Sequence, residues 1–82
     1  MFRKAKQIVA TENPYLYVLF PEGIKKYDIS ILFNEIPVFR KLADDELFDK
    51  AHLSPGGYGI IWNDDLDLSV DEVWEKGETV TL

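Results

Sequence analysis

The sequence predicts an α+β domain: a small antiparallel sheet of about five strands with short helices on one side, including a capped carboxy-terminal helix. Three stretches carry that prediction. Tyr15 to Phe20 (YLYVLF) is aromatic or aliphatic at every position, Tyr58 to Trp62 (YGIIW) follows a glycine-rich turn, and Ser69 to Gly77 (SVDEVWEKG) carries the marks of both ends of a helix.

Taken in order, Lys4 to Thr11 mixes lysine with Ile, Val, Ala and Thr and reads as an edge strand guarded by its lysines. Glu12-Asn13-Pro14 breaks it. Tyr15 to Phe20 puts Leu16, Val18 and Phe20 on one face and Tyr15, Tyr17 and Leu19 on the other, so both faces are apolar and the strand belongs in the middle of its sheet. Pro21-Glu22-Gly23 turns the chain into a returning arm, Ile24 to Ile29, with Lys25 and Lys26 at a wetter position. Asp28 or Ser30 can cap a short helical segment in which Ile29, Leu32 and Phe33 fall at helical spacing, and Pro37 should end it. Val38, Phe39 and Leu42 add apolar anchors. Asp44-Asp45-Glu46 opens another short helix with Leu47, Phe48 and Ala51 on one side.

His52-Leu53 reads as a strand end, and Ser54-Pro55-Gly56-Gly57 as a turn. After Tyr58 to Trp62, Asn63-Asp64-Asp65 makes a second turn, and Leu66 to Leu68 leads into the final helix, Val70 to Lys76. There Ser69 and Glu72 have the spacing of a reciprocal capping box, Leu68 and Val73 that of a hydrophobic staple, and Gly77 suits a left-handed stop. A helix this short cannot stand alone in water. Val73 and Trp74 are therefore expected to pack on the sheet containing Tyr58, Ile60 and Trp62. The prediction is one domain over 1–82, with a core over about 4–77 and a frayed tail over 78–82.

The chain has 82 residues and no cysteine, which removes disulfides, thiol nucleophiles and cysteine metal sites. No stretch approaches membrane-spanning length, and the basic start lacks the apolar run of a signal peptide, so a cytoplasmic protein is expected. The net charge of −6 is unevenly laid out: Met1 to Lys41 sums to +3 and Leu42 to Leu82 to −9. An acidic half opposes general binding to phosphate backbones, so nucleic acid is not the expected partner, whereas a small basic protein is. A homodimer stays open.

Tests for chemistry fail in detail. Asp65, Asp67, Ser69 and Asp71 alternate like a calcium loop, but the sixth and twelfth positions are Val70 and Lys76 in place of Gly and Glu. Asp64 and Asp65 read as turn formers, and Asp67 as a carboxylate tying down amides at the helix entry. His52 and Ser54 lack an oxyanion arrangement, and Gly56-Gly57 lacks the following helix of a phosphate loop. Neither a catalytic group nor a metal or other cofactor is expected.

The order YLYVLF, PEG, DIS, PVFRKL, DDELFDKA and GYGIIWNDDLDLS, followed by the capped helix, resembles the bacterial family numbered 2442 among domains of unknown function, over roughly Lys4 to Gly77. The specific part is Gly57 to Trp74, where Trp62, Asp67, Leu68 and Ser69 match; Val70 stands where the family often has Pro, and Trp74 where Tyr is common. The resemblance implies a compact α+β domain without established enzymatic activity, found alone or joined to a helix-turn-helix module. Members are often encoded beside a second small domain, family 4160, in a pair that looks like a toxin and its antitoxin.

The expectation is thus a non-enzymatic interaction module, the antitoxin-like half of a two-protein pair with a small basic partner. Asp64, Asp65, Asp71 and Glu75 supply charge and Trp74 an anchor, while Trp62, Asp67, Ser69 and Glu72 serve structure. The alternative is a nucleic-acid-associated regulator using Arg3, Lys4, Lys6, Lys25, Lys26, Arg40 and Lys41, provided that these converge on one face.

Overall fold

The computed structural model describes residues 3–81. Among them, seven strands form two antiparallel sheets. One has the order β1 (Gln7–Glu12), β2 (Tyr15–Phe20), β3 (Gly23–Asp28), β7 (Glu78–Val80); the other has β4 (His52–Leu53), β5 (Gly59–Asn63), β6 (Leu66–Ser69). Helix α1 is Asp45–Phe48 and α2 is Val70–Lys76, with 3-10 turns at Ile29–Leu32, Pro37–Ala43 and Pro55–Gly57. The α+β class is the predicted one. Its strands divide between two sheets because the helical excursion from Ile29 to Phe48 separates the first three from the next.

β2 is central, as its two apolar faces require. It pairs with β1 (Ile8 opposite Val18) and with β3 (Leu16 opposite Tyr27), and the β2–β3 hairpin closes at Phe20 and Gly23 around Pro21-Glu22. Leu16, Val18 and Phe20 point into a single core, joined by Tyr27 from β3, Ile60 and Trp62 from β5, and Val70 and Val73 from α2. The 3-10 turns and α1 add Ile29, Leu32, Phe39, Leu42 and Phe48 to the same cluster. Asp28 caps the first 3-10 turn by accepting from the Ser30 amide at 2.9 Å, and Asp44 caps α1 by accepting from Glu46 N at 3.2 Å. Pro37 opens the second 3-10 turn instead of ending the first, since its fixed φ suits a first helical position.

Four further expectations are corrected around α2. Glu78–Val80 of the predicted tail is paired and not frayed, Leu82 lying outside the described residues: β7 runs along β3 with Lys25 opposite Thr79, and Lys25 Nζ donates to Thr79 Oγ1 at 2.8 Å. Chain leaving α2 emerges beside the open edge of β3, where its amides and carbonyls find partners. Gly77 is extended (φ −75°, ψ 159°), and glycine is needed there because a Cβ would run into the Val73 carbonyl and crowd the Lys26 carbonyl at 3.2 Å. The capping box is not reciprocal: Ser69 Oγ accepts from Asp71 N at 3.1 Å, but Glu72 Oε2 accepts from the Tyr27 hydroxyl at 2.9 Å. A buried phenol needs an acceptor, and Glu72 is the one that α2 brings to it. Finally, Trp74 packs edge-on against Phe20 of the larger sheet (5.1 Å, 78°), while Tyr58 is exposed.

Gly57 fastens the amino-terminal segment to the smaller sheet. It is buried at φ +81°, its carbonyl accepts from Ala5 N at 2.8 Å, and a Cβ would strike the Ala5 carbonyl. Gly57→Ala is expected to lower stability by about 1–3 kcal/mol. In urea unfolding, Gly59→Ala serves as the control, because a Cβ there meets nothing nearer than 3.5 Å.

Candidate functional site

The structure separates the residues singled out for partner binding. Asp64 and Asp65 are exposed in the β5–β6 turn, and the Asp65 amide donates to Asn63 Oδ1 at 2.9 Å. Asp71, Trp74 and Glu75 lie on α2, at the other end of β6, roughly 13 Å of extended chain away. Glu75 is exposed; Asp71 and Trp74 are half-buried and engaged within the chain. Asp71 Oδ1 accepts from Arg3 N at 2.9 Å, and the Arg3 guanidinium carbon lies 3.9 Å from the centre of the Trp74 ring.

Among the structural assignments, Trp62 is buried and meets Phe39 edge-to-face at 6.3 Å, with no hydrogen-bond partner for Nε1 among the described residues. Asp67 is exposed on β6 and ties down no backbone amide among the described residues; the helix entry is capped by Ser69, whose Oγ accepts from Asp71 N. Ser54 Oγ accepts from Gly59 N at 2.9 Å, while His52 Nδ1 lies 3.0 Å from the Lys50 carbonyl.

The basic residues are dispersed, and four of them rest on aromatic rings. Arg3 and Lys25 approach Trp74, Lys4 lies 5.4 Å from the Tyr58 centroid, and Lys26 lies 4.3 Å from Tyr15 and 5.9 Å from Tyr17. Lys25 and Lys26, adjacent on β3, project from opposite faces of the sheet. Arg40 donates to the Phe33 carbonyl and to Asn34 Oδ1, each at 3.0 Å.

Sequence reasoning missed the outer face of the larger sheet. The pairing registers place Gln7, Leu19, Ile24 and Val80 in one row across it, Val9, Tyr17, Lys26 and Glu78 in the next, and Glu12, Tyr15 and Asp28 in a third. The apolar members of these rows are half-exposed and none belongs to the core, into which the helical elements send their buried side chains. At its carboxylate-bearing end a hollow of about 260 Å³ opens between Tyr15, Lys26, Asp28, Ile31, Lys76 and Glu78. The signal was present in YLYVLF, whose second apolar face matches the first. What was absent was any way of knowing which face the core would take.

Among the described residues, one ionisable group is strongly perturbed. Burial first, then the hydrogen bond to Glu72 and the negative charges of Glu72, Glu35 and Asp28, hold the Tyr27 phenol well above its ordinary value. Lys76 Nζ lies 3.4 Å from the same Glu72 oxygen and offsets its charge. An unfolded tyrosine titrates near pH 10. Because the native phenol gives up its proton less readily, its contribution to stability is intact below about pH 10 and is lost as pH rises from there toward the native value. Thermal melts from pH 7 to about pH 11 should therefore show Tm falling more steeply above pH 10 in the wild type than in Tyr27→Phe.

No curated protein and no solved structure matches this chain. The pattern of the family described as Protein of unknown function (DUF2442) spans residues 5–79, which covers the smaller sheet, α2 and all of the larger sheet but Val80, and the chain belongs to that family.

Proposed function

We propose that this chain is a non-enzymatic protein-interaction module, the antitoxin-like member of a two-protein pair, and that it holds a small basic partner on the outer face of its larger sheet. The observation that carries this reading is the second apolar face, Val9, Tyr15, Tyr17, Leu19, Ile24 and Val80, outside the core of so small a domain. Contiguous apolar surface of that kind marks an interaction site, and tyrosines are favoured anchors there.

Charge supports a basic occupant. Glu12, Asp28 and Glu78 stand on this face against Lys26 and, at the edge of the hollow, Lys76, which is paired with Glu72, and the chain carries −6 in all. Asp28 also accepts from Ser30, so Glu12 and Glu78 are the freer carboxylates. The nucleic-acid reading needs its seven cations on one face, and the projection of Lys25 and Lys26 from opposite faces of β3 favours the protein reading. A cytoplasmic setting suits a chain without cysteine.

The test is capture of a basic protein by the tagged chain from its own host, followed by reconstitution of the purified pair. Tyr17→Ala should weaken that pair about 30-fold, the loss of one anchoring aromatic, and Tyr17→Lys with Ile24→Lys should abolish capture. Asp64→Lys with Asp65→Lys should change affinity only modestly and mainly at low salt. Retention by the Tyr17/Ile24 variant, with loss in the Asp64/Asp65 variant, would move the interface to the β5–β6 turn and refute the outer-face assignment.

A further inference from the structure

The geometry points to a second recognition site, a guanidinium-binding site formed by Trp74 and Glu22, with Asp71 holding the backbone of its present occupant; Arg3 fills it from within the chain, and a partner's arginine takes it by displacing Arg3. The arginine as occupant rests on the basic-partner reading; the site itself rests on its present occupant. The Arg3 guanidinium carbon lies 3.9 Å from the Trp74 ring centre, Nη1 lies 3.8 Å from Glu22 Oε1, and the Arg3 amide donates to Asp71 Oδ1 at 2.9 Å. Aromatic face and carboxylates are the groups that recognise a planar, weakly hydrated cation.

Two features make the occupant exchangeable. Trp74 is held edge-on by Phe20 at 5.1 Å, so the indole stays oriented without Arg3. The next firm anchor of the amino-terminal segment is Ala5, buried, with its amide on the Gly57 carbonyl at 2.8 Å, and then the Lys6 amide on the Leu19 carbonyl at 2.7 Å. Residues 3 and 4 can lift away while the core stays closed. The Arg3–Glu22 pair holds weakly, since the two side chains are 36% and 53% exposed. With Arg3 lifted, the site offers the Glu22 carboxylate and an indole face, with the Asp71 carboxylate released from the Arg3 amide one turn before Trp74 on α2, against one ammonium, that of Lys25, 4.7 Å from the ring and bonded to Thr79. The balance then favours an incoming cation, and a guanidinium stacks on indole better than an ammonium does.

The experiment uses the full chain and hexaarginine as probe at about 150 mM salt, read by the Trp74 indole and Asp71 amide resonances. Arg3→Gln is expected to bind hexaarginine about tenfold more tightly than the wild type, the equivalent of one vacated cation–aromatic contact. Lys4→Gln removes the same charge from the neighbouring residue and should gain far less, and hexalysine should discriminate less between the variants. Trp74→Leu in the Arg3→Gln background should abolish the gain, and native-like spectra of each variant establish that the fold is kept. Equal gains from Arg3→Gln and Lys4→Gln, or resonance shifts centred on Asp64 and Asp65, would refute the site. No natural partner enters this measurement, so its failure leaves the outer-face reading standing, and failure to capture a partner leaves this site standing.

Discussion

The fold depends on β2, a strand apolar on both faces in a domain that has core enough for only one. Leu16, Val18 and Phe20 draw the second sheet, the 3-10 turns and both helices to one side. Burial of each such side chain contributes about 1.5–3 kcal/mol, so in a small domain with marginal stability the choice of side organises everything else. The same choice leaves Tyr15, Tyr17 and Leu19 half-exposed on the other face, with Val9, Ile24 and Val80 beside them. The proposed docking surface is thus a consequence of how the core was built, and needs no residues beyond those that make the sheet.

A second constraint is the disposal of charge. Linear sequence shows a basic half and an acidic half, yet folding does not turn them into two opposed patches. Four of the seven cations of the amino-terminal half are spent on aromatic rings: Arg3 and Lys25 on Trp74, Lys4 on Tyr58, Lys26 on Tyr15. Their aliphatic stems cover apolar surface while the heads remain wet. This guards exposed aromatics against indiscriminate association, and it means that any partner of those rings must compete with a cation already there.

The link between α2 and β3 shows how one long-range bond can override a local motif. Ser69 and Glu72 have capping-box spacing, but Tyr27 is 45 residues away in sequence and buried, and its hydroxyl claims the Glu72 carboxylate. Leaving that hydroxyl unpaired would cost about 1–3 kcal/mol, more than the second half of a cap contributes at a partly exposed helix end. Lys76, one turn on, then balances the charge. β7 follows directly, since Gly77 lets the chain pass close against Val73 and Lys26 on its way to the β3 edge.

By itself the sequence determined what depends on neighbours in the chain. The YLYVLF strand, the Pro21-Glu22 hairpin, a cap at Asp28 or Ser30, the acidic opening of α1, the Ser69 cap, the Gly56-Gly57 turn and the extent of α2 all follow from local stereochemistry and side-chain period. The tertiary structure decided what depends on distant residues. It split the strands between two sheets, paired Glu78–Val80 with β3, gave Glu72 to Tyr27, and set Trp74 between Phe20 and Arg3. It also chose the face of β2 that is buried, and so where a partner can dock. Period-two alternation gives the two faces of a strand but carries no information about which one meets the core, because that is fixed by residues tens of positions away.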